Sequence, residues 1–300
     1  MILDWPGHGG WIRASGRIAF VIVLGALLLG AGCIGPGSDG QDEVRETVNQ
    51  TVSAAGVSAL DLQATNGACE VHGWTEPRIA VQATKRSRHG ESELQKVSLE
   101  VKEGSTLTVR ATRTSPFARA SVDMVVMVPE SIGHIRVRTS NGDVLVDKVS
   151  ATVVAESSNG AIRVFDAGGG LDLWSSNGGI TVRGAGGIVN ARTSNGAIEV
   201  GEAAALGDLE TSNGRISAEV RAVFDEVALR TSNGNIELAL DPGLDAVIDA
   251  ETSSGRIDLA NGAFRVDEVS RNRVHGTAGS GGHTVTARTS NGDIRFVTAG

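Results

Sequence analysis

The sequence predicts an all-β fold, a single-stranded parallel β-solenoid (β-helix) with rungs of 18–21 residues, Asn-Gly corners and an N-terminal β cap. Three observations support this prediction. A Ser-Asn-Gly triplet recurs with its Asn at successive steps of 18, 18, 18, 18 and 20 residues. Apolar residues alternate around each triplet, and a column of outward charges alternates in sign. The predicted turn ladder is Asn141, Gly142, Asn159, Gly160, Asn177, Gly178, Asn195, Gly196, Asn213, Gly214, Asn233, Gly234, Asn291 and Gly292, with Ser254 as a variant.

Alternation with a period of two, before and after each triplet, predicts strands rather than helices. After each glycine the second and fourth residues are apolar, as Ile162 and Val164 illustrate. A Thr or Ser two places before each Asn continues the inward face. Because Asn and Gly both tolerate positive φ, each pair is expected to form a left-handed corner.

Two folds fit this alternation, and a column of outward-facing residues, one from each repeat, distinguishes them. Each Asn-Gly could close an antiparallel hairpin, or it could be the corner of coils stacked in register. Stacked equivalents would lie about 4.8 Å apart, where opposite charges attract. Sign alternation therefore favours the stacked coils, with a Trp as its one interruption. In sequence order the column is Arg138, Glu156, Trp174, Arg192, Glu210, Arg230, Glu251 and Arg288.

Residues 1–32 are predicted to form a signal segment. Arg13 and Arg17 precede an unbroken apolar run, Ile18 to Gly32, that ends at Cys33. As a helix this run would span about 22 Å, less than the roughly 30 Å hydrocarbon core. The small residues before Cys33 resemble the lipobox of prokaryotic lipoproteins, which implies that Cys33 is lipidated. An uncleaved N-terminal anchor is the alternative, and both place the rest of the chain outside the cytoplasm.

Three further segments are predicted after the signal segment. Residues 33–55 are polar, which is typical of a tether, and contain a glycosylation sequon with Asn49 as the candidate acceptor. Residues 56–130 are predicted to form the N-terminal β cap, in which Cys69 is a small core residue. Residues 131–300 are predicted to carry the solenoid repeats.

Composition and motifs offer few candidate sites. A net charge of −8 and 3% aromatic residues give no electrostatic footprint for nucleic acid. Glu237 and Asp258 would be like-sign neighbours after the corner, a possible start of a weak Ca²⁺ or glycan site. His275 and His283 flank a predicted Gly-rich loop but supply only two ligands, so no metal or other cofactor is expected. Trp174 points outward and could stack on a sugar ring.

The initial Asn66-Gly67 turn, the strand ending at Val128-Pro129 and the successive T-S-N-G-x-I-x-V coils together resemble a prokaryotic family. This family of domains of unknown function is described as “putative adhesins”. The resemblance covers about Val57 to Gly300. It implies a β-helical surface lipoprotein and carries no catalytic residues over to this chain.

These observations predict an exported, lipid-anchored protein of the cell envelope, which acts as a non-catalytic surface scaffold, adhesion or binding module. The expected partners are the membrane, through a lipid or an anchor, and a surface glycan or an envelope protein. Two alternatives stay open: a glycan-active β-helix enzyme, and a regulatory protein that responds to envelope stress through a membrane partner.

Overall fold

The computed structural model describes residues 43–259 and 264–299, which lie within a compact unit spanning Gly40–Gly300. The predicted signal segment and Cys33 lie outside the described residues. The described residues form an all-β protein with one short helix. Over these ranges, no helix has the length and apolar character needed to cross a membrane.

The elements follow one another as short strands. The first are β1 (Val44–Ser53), β2 (Ala59–Gln63), β3 (Cys69–Trp74), β4 (Arg78–Ser87), α1 (Glu91–Leu94), β5 (Val97–Lys102), β6 (Thr106–Arg113) and β7 (Ser121–Pro129). Next are β8 (His134–Thr139), β9 (Val144–Val149), β10 (Thr152–Ser157), β11 (Ile162–Ala167), β12 (Leu171–Ser175), β13 (Ile180–Arg192), β14 (Ile198–Glu210) and β15 (Ile216–Val220). The last are β16 (Val227–Thr231), β17 (Ile236–Leu240), β18 (Ala246–Thr252), β19 (Ile257–Leu259), β20 (Arg265–Val269), β21 (Arg273–Ala278), β22 (Thr284–Thr289) and β23 (Ile294–Thr298).

Strands before an Asn-Gly turn pair in parallel with one another, and so do strands after it. We call these two sets the upstream and downstream strands. The upstream order in space is β2, β8, β10, β12, β13, β14, β16, β22, β18. The downstream order is β3, β9, β11, β13, β14, β15, β17, β23, β19. The long strands β13 and β14 belong to both sets. Each repeat therefore contributes one strand segment to the upstream set and one to the downstream set.

Burial follows the predicted alternation. Ile162 lies between Val144 and Ile180 in the register, and all three side chains are fully buried. Burying such a side chain contributes roughly 1.5–3 kcal/mol, whereas ordering each residue costs about 1–2 kcal/mol of backbone entropy. A single repeat therefore depends on its neighbours, and the apolar core runs continuously through the stack.

The order of the last repeats differs from the order in the sequence. β22 lies between β16 and β18, and β23 lies between β17 and β19. The final repeat of the chain is thus inserted between the two that precede it. The predicted sign alternation is wrong at this point, because Arg288 lies next to Arg230 rather than beyond Glu251.

The Gly-rich stretch before the final repeat is also more ordered than predicted. His275 lies on β21, which pairs antiparallel with β18 and β20. The predicted loop is therefore wrong for this histidine, whereas His283 lies between β21 and β22. The pairing with β18 supplies backbone partners for this segment, and Val274 and Ala278 face the core.

The predicted tether is wrong for Val44–Ser53, which forms β1 and pairs antiparallel with β4 along its whole length. Only Val52 of this strand is buried, and its inward face alternates valines with Glu46 and Gln50. Backbone pairing rather than a continuous apolar face therefore holds it. Asn49 lies on the exposed side of β1 and accepts a hydrogen bond from the Gln82 side chain at 3.1 Å. Its glycosylation stays a prediction.

Cys69 opens β3 and is fully buried opposite Val144. Burial raises the pKa of its thiol to about 12, with a smaller contribution from the Asp123 carboxylate. A thiol with this pKa stays protonated at neutral pH and is a poor nucleophile. The prediction that Cys69 is a core residue is confirmed.

Candidate functional site

The predicted pairing of Glu237 with Asp258 does not exist. Arg295 of the inserted strand β23 lies opposite Glu237 on one side and opposite Asp258 on the other. A cation between the two carboxylates removes the like-sign cluster that a weak Ca²⁺ site would need. Among the described residues, no group of three or more His, Cys, Asp or Glu side chains is placed to hold a metal ion.

The Asn-Gly corner instead presents a continuous polar surface. Its centre is a hydrogen-bonded column of amides, in which the Nδ2 of each Asn donates to the Oδ1 of the Asn one repeat away at 2.5–2.9 Å. The inserted repeat keeps this column unbroken, because Asn291 donates to Asn233 and the Ser254 variant is left outermost. The column is Asn66, Asn141, Asn159, Asn177, Asn195, Asn213, Asn233 and Asn291.

The corner glycines are not needed for the predicted positive φ. No residue of the turns from Asn141-Gly142 to Asn291-Gly292 has positive φ. A Cβ added to Gly178 would instead lie 1.9 Å from the carbonyl oxygen of Gly160, one repeat away. The other corner glycines face the same contact at 1.7–2.1 Å. Glycine is needed because the backbones stack too closely for any side chain.

A buried hydroxyl lies beneath each corner glycine. Ser175 Oγ donates to the Gly160 carbonyl at 3.1 Å and accepts the Gly178 N–H at 3.0 Å. Equivalent hydroxyls bond to the glycine carbonyls of the other repeats. These contacts satisfy backbone groups that would otherwise be buried without partners, so they fix the shape of the corner.

We use the name corner groove for the surface beside this amide column on the upstream strands. It consists of two parallel columns. One is the outward column, in the spatial order Arg138, Glu156, Trp174, Arg192, Glu210, Arg230, Arg288 and Glu251. The other is the serine next to each Asn, namely Ser140, Ser158, Ser176, Ser194, Ser212, Ser232, Ser290 and Ser253.

Two shallow cavities lie on the corner groove. One, of about 220 Å³, is lined by Gln63, Ala64, Arg138, Glu156, Trp174 and the adjoining hydroxyl residues. The other, of about 390 Å³, is lined by Glu210, Arg230, Arg288, Glu251 and the equivalent hydroxyls. Both cavities therefore belong to the same columns and lie along one line.

The charges of the corner groove are only partly compensated. Arg192 forms an ion pair with Glu210, and Arg288 lies 3.7 Å from Glu251 and 3.5 Å from Asp249. Arg230, between these pairs, has no carboxylate within 4 Å among the described residues. Trp174 is 43% exposed beside Glu156. An exposed indole and a free guanidinium are groups that stack on sugar rings and bind acidic groups, respectively.

Sequence reasoning identified Trp174 as outward but missed the groove around Arg230. The adjacent Arg230 and Arg288 arise from the inserted repeat, which the spacing of the triplets does not reveal. The 37-residue step between Ser254 and Asn291 was the available signal that the last repeats are irregular.

The in-register repeats and their corner define a repeat protein whose two-strand units share one apolar core. A family model described as Toastrack DUF4097 matches residues 57–296, and the chain belongs to this family of domains of unknown function. No curated protein matches the chain.

A solved structure resembles the chain in fold. A “putative adhesin” from Bacteroides fragilis NCTC 9343 is 14% identical with a TM-score of 0.50, over 84% of this chain and 97% of that one. A “putative lipid binding protein” from Parabacteroides distasonis ATCC 8503 is 13% identical with a TM-score of 0.42, over 84% and 96% of the two chains.

Proposed function

We propose that the chain is an extracytoplasmic β-solenoid, attached to the membrane through its N-terminal segment, that binds a linear acidic polysaccharide without catalysis. The observation that carries this proposal is the corner groove, where two cavities lie along the same regular columns. A ligand that extends along these columns would meet equivalent groups at intervals of about 4.8 Å. A linear polymer fits such a surface better than a compact small molecule does.

The side chains of the groove match the chemistry of an acidic sugar polymer. The serine column offers hydroxyls that donate and accept hydrogen bonds. Trp174 offers a face for stacking on a sugar ring, and the guanidinium of Arg230 suits a carboxylate. The contacts are shallow and partly solvated, which is typical of a binding module that holds its ligand through many weak contacts.

The test is a titration of the protein with soluble linear polysaccharides, one set neutral and one set containing uronic acids, followed by calorimetry. We expect saturable binding of the acidic set, and about tenfold weaker binding for Trp174→Ala and for Arg230→Gln, because each removes a central contact. Chelation of Ca²⁺ should leave the affinity unchanged.

The matched control is the double variant Glu237→Ala/Asp258→Ala, which removes a half-buried and an exposed carboxylate on the downstream strands, outside the groove. It should bind like the wild type. Failure of every polysaccharide to bind, or an equal loss in the control, would contradict the proposal and favour an envelope protein as the partner.

A further inference from the structure

The loop between β6 and β7 carries the most exposed large apolar side chain of the described residues. Phe117 in this loop is 82% exposed. The loop is held at both ends, since the Thr114 N–H donates to the Lys96 carbonyl at 2.9 Å and the Arg119 N–H donates to Glu93 at 2.8 Å. The ring is thus presented to solvent by a loop whose two ends are fixed.

Basic residues are enriched in the chain segment that contains this loop. Residues 85–119 contain eight Lys or Arg and four Glu, a net charge of +4 in a chain whose net charge is −8. Arg88, Arg113 and Arg119 have no carboxylate within 4 Å among the described residues. Other cations pair with four of the neighbouring carboxylates, in Arg45–Glu43, Lys85–Glu46, Arg86–Asp123 and Lys96–Glu93.

The chain from the N-terminal segment arrives at the same place. Val44, the first residue of β1, lies opposite Ser87, whose hydroxyl donates to the Arg119 carbonyl at 3.0 Å. Glu43 follows Cys33 by ten residues, so β1 begins at most about 35 Å along the chain from the apolar run. Because β1 takes up ten residues of the predicted tether, the chain between Cys33 and the first strand is short.

We propose that the Phe117 loop docks on an anionic lipid surface. Phe117 enters the interfacial region, and Arg88, Arg113 and Arg119 lie against headgroup phosphates. Exposed aromatic side chains and clustered basic residues are two features that bind a protein surface to anionic lipid. The inference rests on the proposed membrane attachment of the N-terminal segment.

The test uses residues 40–300, the compact unit with its own core, because the apolar run before it would insert into lipid by itself. Vesicles of phosphatidylglycerol and phosphatidylcholine are sedimented with the protein, and the bound fraction is measured. We expect binding to these vesicles and none to pure phosphatidylcholine. Phe117→Ser and the triple variant Arg88→Gln/Arg113→Gln/Arg119→Gln should each weaken binding about tenfold.

Two matched controls separate the loop from general effects of charge and apolarity. Phe224→Ser removes another exposed Phe, and Arg136→Gln/Arg183→Gln/Arg256→Gln removes three exposed arginines of the repeats. Both should bind vesicles like the wild type. Absence of wild-type binding, or an equal loss in either control, would overturn the inference. Trp174→Ala should bind vesicles like the wild type. If the wild type binds polysaccharide but not vesicles, lipid docking is rejected and the proposed function stands.

Discussion

The two corners of each repeat reverse the chain by different means. At the Asn-Gly corner, glycine is needed because the backbone of the next repeat lies within 2.1 Å of any added Cβ, and φ there is negative. At the second corner, at the end of the downstream segment, φ is positive in four repeats, at Lys148, Asp166, Gly184 and Glu202, each 18 residues apart. One corner therefore restricts side-chain volume, and the other restricts backbone conformation.

This difference explains why only one corner is visible in the sequence. A contact between backbones excludes every residue except glycine, so the Asn-Gly corner repeats almost without variation. A left-handed residue costs only about 1–2 kcal/mol, so the second corner accepts Lys, Asp and Glu. The more a substitution at a corner costs in stability, the less the sequence varies at that corner.

The largest expected effect is at the first corner. Gly178→Ala should lower the free energy of unfolding by about 3 kcal/mol, because the added methyl meets the Gly160 carbonyl oxygen and the stack must separate locally. Urea unfolding followed by circular dichroism measures the change. The control is Gly201→Ala, where an added Cβ has no atom within 4 Å. If both variants lost equal stability, close stacking would not be the reason for glycine at the corner.

A smaller loss of stability is expected when the buried hydroxyl beneath the same corner is removed. Ser175→Ala removes the hydroxyl that bonds both the Gly160 carbonyl and the Gly178 N–H, and leaves two backbone groups buried without partners. The free energy of unfolding should fall by about 2 kcal/mol, measured in the same denaturation experiment. Ser176→Ala, one residue on and partly exposed, should stay within about 0.5 kcal/mol of the wild type. Equal effects would show that the buried hydroxyl does not hold the corner.

Alternation and triplet spacing predicted the all-β class, the two strands of each repeat and the inward residues. Ile162 and Val164 illustrate this, because a period of two directly reports which face is buried. β1 was missed, since Glu46 and Gln50 interrupt the valines of its inward face and hide the apolar alternation. The insertion of β22 and β23 was missed because parallel registers repeat identically, and Thr289 fits equally well beside Thr231 or Thr252.

The candidate site was less predictable than the fold. Trp174 was assigned an outward position from its place in the repeat, and the structure places it there. The pairing of Glu237 with Asp258 assumed that repeats adjacent in sequence are adjacent in space, and Arg295 between them shows that they are not. A site built from neighbouring repeats depends on their order, which local sequence patterns do not encode.

The smallest expected effect is a gain in stability at the second corner. Lys148 is exposed, with φ of 54°, and Lys148→Gly removes the cost of a left-handed conformation. This relief of about 1–2 kcal/mol exceeds the entropic cost of glycine, about 0.5–1 kcal/mol, so the free energy of unfolding should rise by about 0.5 kcal/mol. Asp172→Gly, on the exposed side of β12, has ordinary strand conformation and should lose stability instead. Opposite signs for two exposed glycine substitutions would demonstrate that the second corner selects conformation, and a loss in both would contradict it.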